Sequence, residues 1–256
     1  MPFEGPAAAY DRFMGLWSRP LAAETVHLLE PERGRRALDV GSGPGSLTGA
    51  LVSRLGVGGV VAVDPTPQFV GALSERFPGV EVQQGRAESL PFADDTFDLC
   101  VAQLVVHFMK DPVTGLHEMG RVTRPDGVVA ASVWDHGTGP GPLTAFWAAV
   151  RQLDPSSHGE ADLAGTHDGE LADLARRAGL ADVAQHVLTV HRRFESFEDW
   201  WEPFTFGMGP AGAVVTALDD ADRARLREAC REQLPAQAPF ELEARAWCVT
   251  AIPGGP

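Results

Sequence analysis

The sequence predicts an α/β fold of the doubly wound kind, a mostly parallel sheet with helices on both faces. Three observations predict it. Short Val-rich runs alternate with helical patterns through the first half of the chain, as successive βα units require. Those runs are apolar almost without interruption, which suits strands covered on both faces. Finally, "LDVGSGPGSL" (38–47) leaves one such strand, passes through clustered glycines and enters a helix, the setting in which a turn holds a pyrophosphate or a nucleotide-like cofactor.

The elements follow in order. Strands are expected at 36–40 (RALDV), 60–64 (VVAVD), 80–84 (VEVQQ), 97–103 (FDLCVAQ) and 127–134 (GVVAASVW). Helices fall at 46–55, 67–76 and 111–124. In the last, Val113, Leu116, Met119, Gly120 and Val122 form an apolar stripe, and Arg121 and Arg124 lie near the C-terminal end, where positive charge is favoured. Beyond "DHGTGPGP" (135–142), a loop at the functional rim of the sheet, come a short aromatic helix at 143–153 and another at 168–178, stopped by Gly179. Two further strands are expected at 182–194 and 241–252. Between them 196–234 reads as helical, with Asp219 or Asp220 as an N-cap, and the final "PGGP" reads as a loose tail. The Gly/Pro stretch is too short to separate independent domains, so one domain is expected over 1–256.

Composition narrows the function. A net charge of −14 argues against nucleic acid as the main partner, because phosphate binding needs clustered Lys and Arg. Cys100, Cys230 and Cys248 are odd in number and outside any C-x-x-C pattern, so they read as free thiols of a reducing compartment. The start of the chain lacks a signal-peptide pattern and no segment is apolar enough to span a membrane, which makes the cytoplasm the expected location. The histidines are scattered without ligand spacing, and no metal is expected.

Glycine at 41, 43 and 45 admits positive φ and close approach of a ligand to the backbone. The dinucleotide fingerprint would need glycine at 46, where this chain has Ser46. Asp64 closes the second strand, and its carboxylate can accept hydrogen bonds from both hydroxyls of a ribose. That points to an adenosine-containing ligand, either a nicotinamide dinucleotide or S-adenosylmethionine.

With "LDVGSGPG", "VAVDPTPQF", "GRAESLPFADDTFD" and "VVHFMKDPVTGLHEMGRVTRPDG" in this order, the chain resembles the class I S-adenosylmethionine-dependent methyltransferases. The likeness is to their small-molecule, type 11/25-like group, over about residues 10–134. It implies a Rossmann-like, mostly parallel seven-stranded sheet with an antiparallel C-terminal strand. It also implies an N-terminal helical lid (1–35), a cofactor-binding core (36–134) and a remainder (135–256) with a helical, substrate-side insertion near 196–234. The implied cofactor is S-adenosyl-L-methionine, and the implied partner a small-molecule acceptor methylated on O, N or C, with neither nucleic acid nor membrane. No oligomeric state is implied.

By the same resemblance, Asp39 orients the methionine amino end, or else only steadies loop amides. Gly41, Gly43 and Gly45 shape the turn and Asp64 holds the ribose. Pro65 and Phe69 pack near adenine and sugar, although Phe69 also suits plain core. Arg86 stands where the family carries an acid for the adenine amino group, and a guanidinium has only donors. Glu88 or a backbone carbonyl is the replacement, with the Ala87 amide reaching a ring nitrogen. Gln103 faces the methionine part. His107 is the first candidate general base, with an unperturbed pKa near ~6.5, and His136 the second; a capping or packing role for His107 is the alternative. Tyr10 and Trp17 form an aromatic lid or simply dock the first helix. Trp200, Trp201, Phe204, Phe206 and Met208 suggest the wall of an apolar acceptor pocket, with ordinary packing as the alternative. Two other functions stay open: a nicotinamide-dependent oxidoreductase, and an S-adenosylmethionine-binding protein without methyl transfer.

Overall fold

The computed structural model describes residues 7–157 and 159–254. The first six residues of the expected lid and the last two of the expected tail lie outside them. Two helices open the chain, α1 (Ala7–Phe13) and α2 (Gly15–Leu29). Strand β1 (Ala37–Val40), helix α3 (Ser46–Leu55), β2 (Val60–Asp64), α4 (Pro67–Arg76) and β3 (Glu81–Gln84) follow. Then come β4 (Phe97–Gln103), α5 (Pro112–Val122) and β5 (Thr123–Trp134). Helices α6 (Thr144–Leu153) and α7 (Glu170–Arg177) lead to β6 (Ala181–Phe194). The insertion comprises α8 (Phe197–Trp201), a 3-10 turn (Glu202–Phe206), α9 (Gly209–Ala217) and α10 (Asp220–Glu232), before β7 (Phe240–Ile252).

All seven expected strands form one sheet, in the order β3-β2-β1-β4-β5-β7-β6. Neighbours from β3 to β5 are parallel, and β7 runs antiparallel to both β5 and β6. From β1 the chain winds outward through β2 and β3, then crosses back to β4 on the other side. The switch point therefore lies between β1 and β4, where such sheets open a crevice at their carboxyl ends. Strands β1 and β2 are buried at every residue, as their unbroken apolar character requires.

The strand boundary furthest from expectation is the start of β5; several others shift by one or two residues. The helix expected to 124 stops at Val122, and β5 starts at Thr123 rather than 127. Asp111 caps α5 by accepting from the Val113 and Thr114 amides, with Pro112 in the first turn. At the other end Thr123 pairs with Phe97 in the sheet, and its hydroxyl donates to the Met119 carbonyl at 2.7 Å. Pro125, Asp126 and Gly127 thus sit inside a strand at an irregular stretch of the β4–β5 register, a place where proline and glycine are tolerated.

The aromatic cluster of the insertion is core. Trp200, Trp201, Phe204 and Met208 are all buried. The Phe204 ring stacks on Phe146 at 4.7 Å and meets Trp200 at 4.8 Å and Phe13 at 5.3 Å. Phe206 is only partly buried, and the Arg12 guanidinium lies 4.6 Å over its ring. Trp17 packs against Phe194 at 6.0 Å. These residues tie α1, α2, α6 and the insertion to the outer strands.

Candidate active site

At the carboxyl ends of β1, β2 and β4 lies a cavity of about 340 Å³, within the size range of small-molecule sites. The glycine turn forms one wall. Gly41, Gly43 and Gly45 have φ of +71°, +53° and +96°. A Cβ at Gly41 would come within 2.5 Å of Val105, and one at Gly45 within 2.8 Å of Phe77. At Gly43 a Cβ would meet nothing within 4 Å. Gly41 and Gly45 are therefore glycines for packing, whereas Gly43 leaves backbone open toward the cavity. Gly45 itself is not on the cavity wall.

Asp64 faces the same space. It is 5% exposed, and its two oxygens accept from different amides, Gly43 N to Oδ2 and Thr66 N to Oδ1, both at 2.8 Å. A carboxylate has about four acceptor sites, so capacity remains for a diol. Burial raises its pKa, opposed by the Thr66 and Gly43 amides. Pro65, Thr66 and Phe69 continue this wall, and Tyr10 of α1 meets Phe69 edge-on at 5.5 Å. The tyrosine hydroxyl is pushed well above its ordinary range by burial and by the charges of Asp64 and Asp11. Asp11 accepts from Arg19 at 2.8 Å and from Arg76 at 3.0 Å, while Arg76 also donates to the Pro44 carbonyl at 3.2 Å. Helix α1 is thereby tied to the glycine turn. Trp17, by contrast, does not reach this cavity.

Asp39 is the third residue of β1, just before the turn. It is buried beneath the turn, accepts from the Thr48 hydroxyl at 2.6 Å, and does not line the cavity. Burial first, with Asp64 adding, pushes its pKa up to about 7. Such a carboxylate fastens β1 to α3.

On the opposite wall, Arg86, Ala87 and Glu88 line the cavity. Glu88 is already engaged within the protein: Oε1 accepts from the Lys110 amide at 2.7 Å, and Oε2 lies 3.7 Å from Arg86 Nε. Gln103 also lines the cavity, but its amide braces α2, donating to the Ser18 carbonyl at 2.9 Å and accepting from Thr25 at 3.3 Å. After β4, Leu104 adopts φ +62°, a strained conformation for leucine that recurs at functional sites. This twist turns the chain so that Val105, His107 and Phe108 line the cavity.

A smaller chamber, about 30 Å³, abuts the first and shares Tyr10, Leu104, His107 and Phe108 with it. Both candidate histidines meet here: His107 lines both spaces and His136 the smaller one. Among the described residues, His107 Nδ1 and Trp134 Nε1 are buried without a hydrogen-bond partner. Burial, with His136 nearby, pushes the His107 pKa down to about 3, and burial pushes His136 down to about 4. That direction favours a hydrogen-bonding role for His107 over that of a base tuned near neutrality. Burial thus favours the neutral form of both imidazoles. The insertion reaches this chamber through Gly209, Pro210 and Ala211 at the start of α9, and none of its buried tryptophans does.

Glu160 completes the chamber, and sequence reading missed it. "SSHGEADLAG" has the polarity of a surface loop, yet Glu160 is 5% exposed and accepts from Trp147 Nε1 at 3.0 Å. Gly159, at φ +63°, lies so close to the Trp147 ring that a Cβ would clash at 2.7 Å. Burial raises the Glu160 pKa from 4.5 to about 7, opposed by the Trp147 bond. Its folded-state pKa exceeds the unfolded one, so the folded chain holds the extra proton in this window and stability falls as pH rises through it. Relative to the natural chain, Glu160→Gln should gain melting temperature between about pH 5 and about pH 8. A pH-independent difference in calorimetric scans would mean that this carboxylate is well solvated.

Comparisons with known proteins agree with this geometry. Residues 38–131 match the family model described as a methyltransferase domain. An uncharacterized methyltransferase of Mycobacterium bovis is 36% identical over 135 residues, 53% of this chain and 52% of that protein. The chain therefore matches about half the length of that relative. Among solved structures, the YcgJ protein of Bacillus subtilis superposes with a TM-score of 0.59 at 21% identity, covering 93% of this chain and 99% of that one. The Haemonchus contortus phosphoethanolamine N-methyltransferase 2, in complex with phosphomonomethylethanolamine and S-adenosylhomocysteine, has a TM-score of 0.60 at 16% identity, covering 97% of this chain and 57% of that one. At these identities the structural likeness shows the fold.

Proposed function

We propose that this chain, whose residues 38–131 match the methyltransferase domain model, binds S-adenosyl-L-methionine and methylates an O, N or C nucleophile of a small-molecule acceptor. One observation carries the reading: the Asp64 carboxylate is held at the cavity by the Gly43 and Thr66 amides, beside the open backbone of Gly43. When bound, the cofactor supplies an electrophilic methyl group on a sulfonium.

The residues of the chain do the rest by placement. Asp64 accepts from the ribose hydroxyls, and Gly43 allows the ligand to approach the turn. Pro65, Phe69 and the backbone at Ala87 take the adenosine side. Glu88 and Gln103 shape the wall from fixed positions, since their side chains already serve the backbone or α2. Asp39 acts beneath the turn by holding Thr48. The lid helix, through Tyr10, shields the site from water and gives a cation an aromatic neighbour. His107 can accept a hydrogen bond at Nδ1 from an acceptor O–H or N–H. With its pKa so low it orients the nucleophile more than it abstracts a proton, so rate enhancement rests on proximity, which supplies ~7–11 kcal/mol in well-oriented reactions. His136 shapes the acceptor chamber in the same neutral form. Selectivity comes from residues beyond 134, including the start of α9. The three cysteines are buried and unpaired, which supports a reducing, cytoplasmic setting. Among the described residues no helix is long and apolar enough to cross a membrane.

Calorimetry of the full chain tests the cofactor. S-adenosylhomocysteine should bind with at least about ten-fold higher affinity than NAD or NADP, a difference of about 1.4 kcal/mol. Tighter binding of NAD would sink the methyltransferase reading.

A further inference from the structure

The smaller chamber has a charge pattern that cofactor binding does not explain. No Lys or Arg lines it among the described residues, and both of its imidazoles are held neutral by burial. Tyr10 is neutral as well. Among the described residues Glu160 is the one carboxyl group that lines the chamber, and its Oε2 is anchored by Trp147 at 3.0 Å. Much of the remaining wall is aromatic or sulfur-bearing, with Phe13, Phe108, Trp134 and Met14. A buried carboxylate is costly unless a cation compensates it, and aromatic rings add attraction for a cation.

We propose that Glu160 sets acceptor choice, the chamber taking the ammonium head of a small primary or secondary amine, paired with Glu160 and enclosed by Phe13, Phe108 and Trp134. The identification of this amine as the acceptor rests on the methyltransferase reading; its recognition by the chamber does not. Carboxylates and phosphates are rejected, because they bring a second negative charge to a space without a cation. Alcohols offer a head of similar size and forgo the ion pair. The chamber meets the cofactor cavity at His107; passing one ammonium proton to Glu160 would free the nitrogen lone pair, which would then take the methyl as its bond to the sulfonium breaks and S-adenosylhomocysteine leaves.

The test is calorimetry on the full chain, with and without S-adenosylhomocysteine, using n-butylamine, 1-butanol and butyrate as probes of nearly equal shape. Butylammonium should bind at least about ten-fold tighter than butanol, and butyrate not measurably. Glu160→Gln keeps an oxygen for Trp147 and loses the charge. It should bring butylammonium to within about three-fold of butanol, while S-adenosylhomocysteine affinity stays within about two-fold. Glu160→Asp, which retains charge and shortens its reach, should weaken butylammonium without admitting butyrate. No measurable butylammonium binding, equal affinity for amine and alcohol, or a preference that survives Glu160→Gln would overturn the proposal. Should Glu160→Gln fail to fold, an unchanged preference in Glu160→Asp overturns it equally. Amine preference without S-adenosylhomocysteine binding would uphold Glu160 recognition and count against the methyltransferase reading alone. The reverse pattern would count against this proposal alone.

Discussion

Phe204→Ala should destabilise the fold by ~3–5 kcal/mol, the range for removing a buried aromatic ring, and lower the melting temperature by roughly 10 °C. The ring is 3% exposed and is enclosed by Phe13, Phe146, Trp200 and Trp201 on three different helices. No single neighbour can collapse into the space without leaving another, which places the cost toward the upper end. The ring lines neither the large cavity nor the chamber beside it. Cofactor affinity of the folded variant should therefore stay within a few fold by calorimetry. An unchanged melting temperature together with lost acceptor turnover would restore the aromatic cluster to the acceptor wall.

Asp64→Ala should lower affinity for S-adenosylhomocysteine by roughly ten- to several hundred-fold, since hydrogen bonds to a charged acceptor contribute ~1.5–3 kcal/mol each. The structure adds a second effect. The Gly43 and Thr66 amides both end on this carboxylate, so the variant also leaves two turn donors without their acceptor. A modest fall in thermal stability, on the order of 1–3 kcal/mol, should accompany the loss. Asp64→Asn keeps one acceptor oxygen and should fall between the two proteins. Unchanged affinity in a folded Asp64→Ala chain would mean that the ribose is held elsewhere.

The parts of the molecule legible in the chain alone share a physical origin. Strands β1, β2 and β4 are buried on both faces, and that condition writes itself as a continuous apolar run. The turn at 41–45 needs positive φ three times, which leaves glycine in the sequence. Asp64 stands at the end of an apolar strand, where a carboxylate is costly without a purpose. The boundary of β5 was less legible, because Thr123 obeys its sheet partner Phe97 rather than the helical pattern before it.

What only the tertiary structure decided concerns partners distant in sequence. Asp39 and Asp64 are both acids ending or nearly ending apolar strands, yet one is turned under the loop onto Thr48 and the other toward the cavity. His107 lost the proton affinity of a free imidazole through burial beside His136, a neighbour 29 positions away in the chain. Clustered aromatics at 200–208 went to the core, while a glutamate in a polar loop was drawn inside by Trp147. Local sequence determined where the backbone runs straight, coils or turns, because those preferences are set by each residue and its near neighbours. Which side chains share a cavity, and with what charge, was decided by packing, since desolvation and hydrogen bonding depend on what the rest of the fold brings within reach.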